Sequence, residues 1–461
     1  MTHATDTIAA IATARGRAAL AIVRVSGPEA VSVAASCFRG SDLGTAASHT
    51  AHVGYWLAPG GTEIDHVVTT VFRAPRSATG EDIVEISCHG GDFAPALILE
   101  SLTRSGARLA EPGEFTQRAF LNGKMDLAQA EAVADLIHAS SSMAHRVSVS
   151  HLQGRYSELL SHLCNELLEL CAFVELEIDF ADEDVEFADR VRLEALLAHA
   201  ERLLAELLAS YRVGELVRDG VHVVIGGRPN AGKSTLLNAL VGRDRAIVSP
   251  IPGTTRDAIE ADAEIEGLRF RFVDTAGLRE TSDAIEAEGV RRTHHSIDRA
   301  DLLLYVYDLT AGLDEAETKF LQDITAQPYL AVIVVGNKRD LIDQTAVPAF
   351  KDTPFIALSA EHGQREAGEL DALVRLLIDT VAAGLSDADA SHVVTNQRHR
   401  QHLREALRAV RAAHAALNAG LSGDLFTLDL RAALHELGAI TGEITNEDVL
   451  DQIFSRFCIG K

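Results

Sequence analysis

Gly227-Arg228-Pro229-Asn230-Ala231-Gly232-Lys233-Ser234 satisfies the pattern GxxxxGK[ST], and its flanks decide how it is read. An apolar, β-branched run (residues 221–225) leads into it and a helical pattern (residues 235–240) leaves it, the strand–loop–helix order that a phosphate loop requires. The glycines let backbone N–H groups curl around a β-phosphate, and the helix N-terminus adds the positive end of its dipole. Lys233 is positioned to reach the β and γ oxygens, Ser234 to ligate magnesium, and Asn230, Ala231, Gly232 and Thr235 to line the same anion. A glycine-rich strand–helix turn without ligand is the competing reading, and only partners downstream remove it.

Those partners are present and in order. Residues 270–273 read as a strand ending at Asp274-Thr275-Ala276-Gly277, where Asp274 can hold magnesium through water and the Gly277 N–H can meet a γ-phosphate. Asn337-Lys338-Arg339-Asp340 follows an apolar strand (residues 330–335). A carboxylate at Asp340 accepts the paired N–H donors on the edge of guanine, a pair that adenine lacks there. Leu358-Ser359-Ala360 ends another strand and fits the loop that touches the guanine oxygen. Between the first two loops, Ser249-Pro250-Ile251-Pro252-Gly253-Thr254-Thr255 is the candidate first switch, with Thr255 completing the magnesium shell. Together these motifs specify a GTP-hydrolysing domain. Leu278 stands where Ras-like enzymes place a water-orienting glutamine and cannot polarise water, so catalysis needs a carboxylate nearby. Glu280, Asp283, Glu286 and Glu288 all offer one.

Working outward, 461 residues exceed what one core usually serves, and 47% apolar residues supply two or three. Residues 1–120 alternate short β-rich runs (19–25, 67–72) with Gly and Pro turns, which predicts an α+β unit. From 121 to 220 the period is helical, with Leu159, Leu160, Leu163, Leu167 and Leu168 expected on one face. Buried-strand runs separated by helices over 221–384 predict a doubly wound α/β domain of the Ras-like P-loop class, and helix resumes over 385–461. Helix, α/β, helix predicts that the nucleotide domain is inserted into a helical domain whose two halves pack together.

A net charge of −25 excludes broad electrostatic binding to nucleic acid, so any RNA contact must be local. The acids between Glu175 and Asp189 read as a solvated face rather than a partner surface. Five cysteines without CxxC spacing suggest neither a disulfide framework nor zinc, and the 19 histidines include no ligand spacing such as HExxH. No run of 18 apolar residues is present, which predicts a soluble, cytoplasmic protein with no membrane partner. Cys88-His89 is tempting as a catalytic pair, but neighbours on a strand point to opposite faces, which makes it structural. Cys458 reads either as a buried small hydrophobe or as a candidate reactive thiol, and Gly460-Lys461 after it make a poor prenylation box.

With these residues in place, the chain resembles the MnmE (TrmE) family of tRNA wobble-uridine modification GTPases along its whole length. The resemblance rests on Arg24-Val25-Ser26-Gly27, Thr79-Gly80-Glu81-Asp82, Pro112-Gly113-Glu114-Phe115, residues 119–137, the nucleotide motifs and the terminal Phe457-Cys458-Ile459-Gly460-Lys461. It implies an N-terminal domain that forms a homodimer and binds 5-formyl- or 5,10-methylene-tetrahydrofolate, with Arg24, Glu81, Lys124 and Lys461 at the matching positions. Without it, each of the four reads as a solvated charge. It implies potassium in place of an arginine finger, held by Asn230, Ser249, Ile251 and Thr254, and it selects Glu286 as the water-orienting acid beside Lys233. Ser249 and Pro252 depart from the threonine and alanine frequent in relatives; neither change removes a ligand. The implied partners are tRNA and the flavoprotein MnmG, which carries FAD, and the implied product is an aminomethyl or carboxymethylaminomethyl group on C5 of the wobble uridine. A ribosome-assembly GTPase would share every nucleotide motif but should add a basic RNA-binding module, which is not seen, and a nucleotide-binding regulator without turnover is the other rival.

Overall fold

A computed structural model describes residues 6–179, 190–243, 259–274, 300–327, 330–342, 353–363, 367–381, 389–419 and 423–460. The chain forms two compact units, one from Met1–Ala134, His151–Asp189 and Ala415–Lys461, the other from Asp135–Ser150 and Arg190–His414.

The first unit holds a seven-stranded sheet of β1 (Ile8–Ile11), β2 (Leu20–Ser26), β3 (Phe38–Arg39), β4 (Thr50–Leu57), β5 (Glu63–Phe72), β6 (Ile83–His89) and β7 (Arg108–Leu109), in the order β3-β4-β5-β6-β2-β1-β7. All neighbours are antiparallel except β1 and β7. The alternation readable in the sequence puts Val23, Val25, Val84 and Ile86 on a buried face under helices Ala30–Cys37 and Ala94–Arg104. Trp56 is fully buried there and its indole N–H donates to Ser101 Oγ at 2.7 Å, so its one polar atom is satisfied. Cys88 lies on this buried face, its thiol pushed up to about 11 by burial, while His89 is exposed and pairs with Asp65, as the alternation requires.

Helix Arg155–Asp179 in the same unit packs along helix Gly423–Thr441. Its buried stripe is Tyr156, Leu160, Leu163, Leu167 and Leu170, and the expected member Leu168 is instead 51% exposed. One residue beyond Leu167 lies 100° around the helix, outside a stripe that Leu160, Leu163 and Leu167 already define. Helix Glu447–Phe454, capped by Asn446 Oδ1 on the Val449 N–H at 2.9 Å, then delivers Phe454 and Phe457 to a cluster with Leu127 and Ala130. The tail beyond returns to the sheet: Ile459 forms an antiparallel bridge with Pro112, and Gly113 N donates to Cys458 O at 3.4 Å. Gly460 (φ 94°) approaches β1 so closely that a Cβ would stand 2.4 Å from Ile11 O, an approach open only to glycine.

The second unit carries a six-stranded sheet of β8 (Val221–Gly226), β9 (Ile259–Ile265), β10 (Leu268–Asp274), β11 (Leu302–Asp308), β12 (Ala331–Asn337) and β13 (Phe355–Ala357), ordered β13-β12-β11-β8-β10-β9. Only β9 runs antiparallel. Strand β11 is apolar at every position up to its last because both of its faces are covered: Leu302, Leu304 and Val306 join one core, Leu303, Tyr305 and Tyr307 the other. Helices Lys233–Arg243, Glu315–Thr325 and Ala367–Val381 flank the sheet. The carboxyl ends of β8, β11 and β12 therefore open onto one edge, where doubly wound sheets hold their ligands.

Candidate functional site

The loop after β8 is shaped by two left-handed residues, Asn230 (φ 62°) and Gly232 (φ 96°). A Cβ on Gly232 would lie 2.0 Å from Asn337 Nδ2, so only hydrogen fits between the two loops. Lys233 opens the following helix with its side chain buried, and its ammonium donates to the carbonyls of Gly227 (2.8 Å) and Arg228 (2.7 Å). Its charge thus lies inside the arch that a diphosphate would fill, and Ser234 is exposed on the first turn beside it.

The side chain of Arg228 points away from that arch and is held by Glu317, with Asp314 3.2 Å away. Glu317 is buried and also accepts from the Tyr305 hydroxyl (2.8 Å) and the Asp314 N–H (3.0 Å). The Asp314 side chain accepts in turn from Glu317 N, a capping box that starts helix Glu315–Thr325. Burial, together with the bond to Glu317, pushes the Tyr305 hydroxyl well above its ordinary value, so it stays a donor. A buried carboxylate at one helix start consequently fixes the second residue of the phosphate loop.

The base-reading side is assembled by Asn337, at the end of β12. It is buried, donates through Nδ2 to Ala231 O (2.8 Å) and accepts at Oδ1 from Ala360 N (2.9 Å), stapling the phosphate loop to residues 358–360. Lys338 (φ 63°) pairs with Asp308 at 2.6 Å. Burial alone would raise the Asp308 carboxyl, but the bonds from Lys338 and Thr310 outweigh it and hold the group below its usual range. Asp340 lies exposed in the turn Arg339–Leu341, its carboxylate 3.9 Å from His362 Nδ1. Ser359 N donates to Glu369 Oε2 at 2.8 Å, and Leu358 N to Gly336 O at 2.9 Å, which holds the third loop against β12.

The structure thus brings Asn230, Ala231, Gly232, Lys233, Asn337, Ser359 and Ala360 to one edge, with Asp340 and Lys338 beside them. Ser249, Ile251, Thr254, Thr255, Thr275, Ala276, Gly277 and Glu286 lie outside the described residues, as does the side chain of Asp274. Sequence reading missed Arg228, Tyr305, Asp308 and Glu317. Asp314-x-x-Glu317 was legible as a helix start, and Asp308 as the acid ending a strand, but their targets in the loops were not.

A second polar cluster occupies the first unit. Glu81 accepts from Ser26 Oγ (2.8 Å) and from Arg118 Nη1 (3.1 Å), and buried Arg118 also binds Asp6 (2.6 Å) and Glu114 (2.9 Å). Arg24 is paired with Glu85 at 2.6 Å and lies over the Phe115 ring. Lys124 donates to Pro75 O at 3.0 Å, and its stem passes the loop at Gly80. Arg24 and Ser26 sit two residues apart on β2, so Arg24 lies near Glu81, while Gly460 abuts β1 at its other end, at Ile11, in register with Val23. Lys461 lies outside the described residues, and Cys458 is exposed rather than buried. Arg118 was not singled out by sequence; its i,i+4 partner Glu114 was legible on one helix face, but Asp6 and Glu81 are too far away along the chain to show.

The comparisons agree with this geometry. Residues 7–124 match the family model "GTP-binding protein TrmE N-terminus", and residues 127–458 match "MnmE helical domain". The chain is 66% identical to the tRNA modification GTPase MnmE of Salinibacter ruber over 461 residues, covering 99% of each. It is 43% identical to that of Cytophaga hutchinsonii, covering 100% of this chain and 99% of the relative. Among solved structures, Aquifex aeolicus Era bound to GDP and AlF4− aligns with 41% of this chain and 66% of its own at 28% identity, with a TM-score of 0.28, too low to bear on function. On two family models and two-thirds identity across its full length, the chain belongs to the MnmE (TrmE) family of tRNA modification GTPases.

Proposed function

We propose that the protein is a potassium-stimulated GTPase that, as a homodimer and with the flavoprotein MnmG, modifies C5 of the wobble uridine of certain tRNAs using a folate one-carbon unit. The observation that carries the nucleotide half is the Asn337 staple, which sets the phosphate loop and the base-reading loop in register for one ligand. The arch is fit for a magnesium-bound triphosphate: Gly232 lets the loop close against Asn337, Lys233 carries its charge into the arch, and a helix N-terminus faces it. Ser234 and Thr255 would hold magnesium, with Asp274 acting through water. Asn230, exposed at the loop tip in a left-handed conformation, would join Ser249, Ile251 and Thr254 around potassium. Such an ion neutralises charge developing on the bridging oxygen as an arginine finger does. Glu286 would orient the attacking water.

For the folate, Arg24 and Lys124 are the bases and Glu81 the acid of a ligand that carries both a glutamate tail and amino groups. Glu81 is preset for that task by Ser26 and Arg118, and the approach of Gly460 to β1 supports a role for Lys461 there. The homodimer is supported by the outward face of the first sheet, where Leu20 (64% exposed), Val53 (62%), Tyr55 and Val68 are apolar and open. Cytoplasmic location follows from the tRNA substrate, and among the described residues no helix is long and apolar enough to cross a membrane.

GTP turnover in potassium against sodium buffer, at several protein concentrations and with Glu286→Ala, tests this reading. Fast, concentration-dependent turnover in potassium that the variant loses is expected. Turnover indifferent to the cation would sink the potassium mechanism.

A further inference from the structure

A chain of net charge −25 that acts on tRNA must present positive charge locally, and helix Gln397–Asn418 is where it does so. Its 22 residues hold Arg398, Arg400, Arg404, Arg408 and Arg411 against one acid, Glu405. The apolar side of the helix (Leu403, Ala406, Leu407, Val410, Ala413) is buried in the second unit. At 100° per residue, Arg400, Arg404, Arg408 and Arg411 fall within an arc of about 80° that flanks the buried side, its middle about 120° around from the middle of that side, and they are spaced about 4.5–6 Å along the axis. Arg404, Arg408 and Arg411 are exposed, and Arg400 lies 4.4 Å from the Tyr211 ring centroid, which braces its guanidinium.

We infer that this arginine stripe is a docking surface for the sugar-phosphate backbone of tRNA. A row of guanidiniums matches a row of phosphates, each able to take a bidentate pair of hydrogen bonds. The acids within reach do not cancel it. Arg411 pairs with Glu201 (2.7 Å) and Arg408 with Glu405 (2.6 Å), but the two arginines are 58% and 72% exposed. Solvent-exposed pairs of this kind are worth at most about 1 kcal/mol, so a phosphate can displace them. Arg404 has no ionic partner among the described residues. On the neighbouring helix Arg190–Asp219, Arg202 stands next to Glu201 and lies 3.1 Å from His199 Nδ1, adding one more guanidinium to the region. The stripe carries no base-reading geometry, so its contribution is affinity and orientation rather than choice of sequence.

The inference rests on tRNA being this chain's substrate, and the experiment separates the two. Binding of the full-length protein to unmodified tRNA is measured between roughly 50 and 200 mM salt for the wild type and for Arg404→Gln/Arg408→Gln/Arg411→Gln. The variant is expected to bind at least tenfold more weakly at low salt, with a plot of log K against log salt shallower by about two, for about three lost phosphate contacts. Arg→Lys at the same three positions should keep most of the affinity, and GTP turnover without tRNA should match the wild type in both. Unchanged affinity and slope in the glutamine variant overturn the stripe while leaving the tRNA reading intact. Equal weakening by Arg39→Gln/Arg104→Gln/Arg375→Gln, three scattered exposed arginines, would reduce the effect to net charge and also overturn it. Wild-type protein that binds no tRNA would overturn both.

Discussion

At the scale of single residues, the hydrogen-bond inventory of a side chain decides what it can read. Asp340 offers only acceptors, so Asp340→Asn should weaken GTP binding by about 3 kcal/mol, roughly 100-fold, because a charged acceptor for two donors is lost. The new amide presents a donor, and the same variant should gain affinity for xanthosine triphosphate, whose 2-oxo group accepts one; titration with both nucleotides checks the exchange. Glu114 makes a different point. Burial would raise its carboxyl, but hydrogen bonds from Arg108, the Glu111 N–H and Arg118 hold it below its usual range, and Asp6 is lowered in the same way. Carboxyls with depressed pKa stabilise the fold above their unfolded values, near 4, and lose that contribution as pH falls through the folded ones. Urea midpoints should therefore drop steeply below about pH 4. Glu114→Gln removes one of three carboxylates around buried Arg118 and leaves Asp6 and Glu81 in place, so it should cost about 1.5 kcal/mol at neutral pH, the size of one charged hydrogen bond, and should flatten the acid limb.

Elements matter through what they hold in place. The start of helix Glu315–Thr325 holds Arg228, whose carbonyl accepts from Lys233. Glu317→Gln keeps the shape and the cap but removes the charge from a contact that positions the phosphate loop. The KM for GTP should rise by about tenfold, the size of one charge-assisted hydrogen bond, with kcat nearly kept, and Tyr305→Phe should move KM in the same direction by less. A fall in kcat at unchanged KM would count against a positioning role. This contact also marks the limit of what the sequence discloses. Lys233, Asn337 and Asp340 were legible because phosphate and guanine chemistry demands fixed residues at fixed spacing on fixed strand ends. Arg228 bound to Glu317, and Arg118 bound to Asp6, were not, since any acid brought near by the fold would serve and nothing local marks which one arrives. The stripe of helix Arg155–Asp179 lies between these cases: its period was clear, but its width was not, and Leu168 fell outside it.

For the whole molecule, the telling contact is the return of the C-terminal tail to the first sheet. Removing residues 458–461 takes away, among the described residues, one β-bridge and one long hydrogen bond, so stability and GTP turnover should change little. If the tail serves the folate chemistry, uridine modification should fall more than tenfold, as nucleoside analysis of tRNA from complemented cells would show; full modification would remove the tail from the mechanism. The same contact also sets an order of events at birth. Residues 112 and 459 meet in space, yet everything between them, including the entire nucleotide-binding sheet, is synthesised in the interval. The first sheet can assemble early and wait, but the segment that bridges to Pro112 is made only after the whole second sheet. A chain cut short of residue 458 would therefore keep the nucleotide-binding sheet while leaving Pro112 without its bridge, so the tail acts as a seal applied only after both sheets have been made.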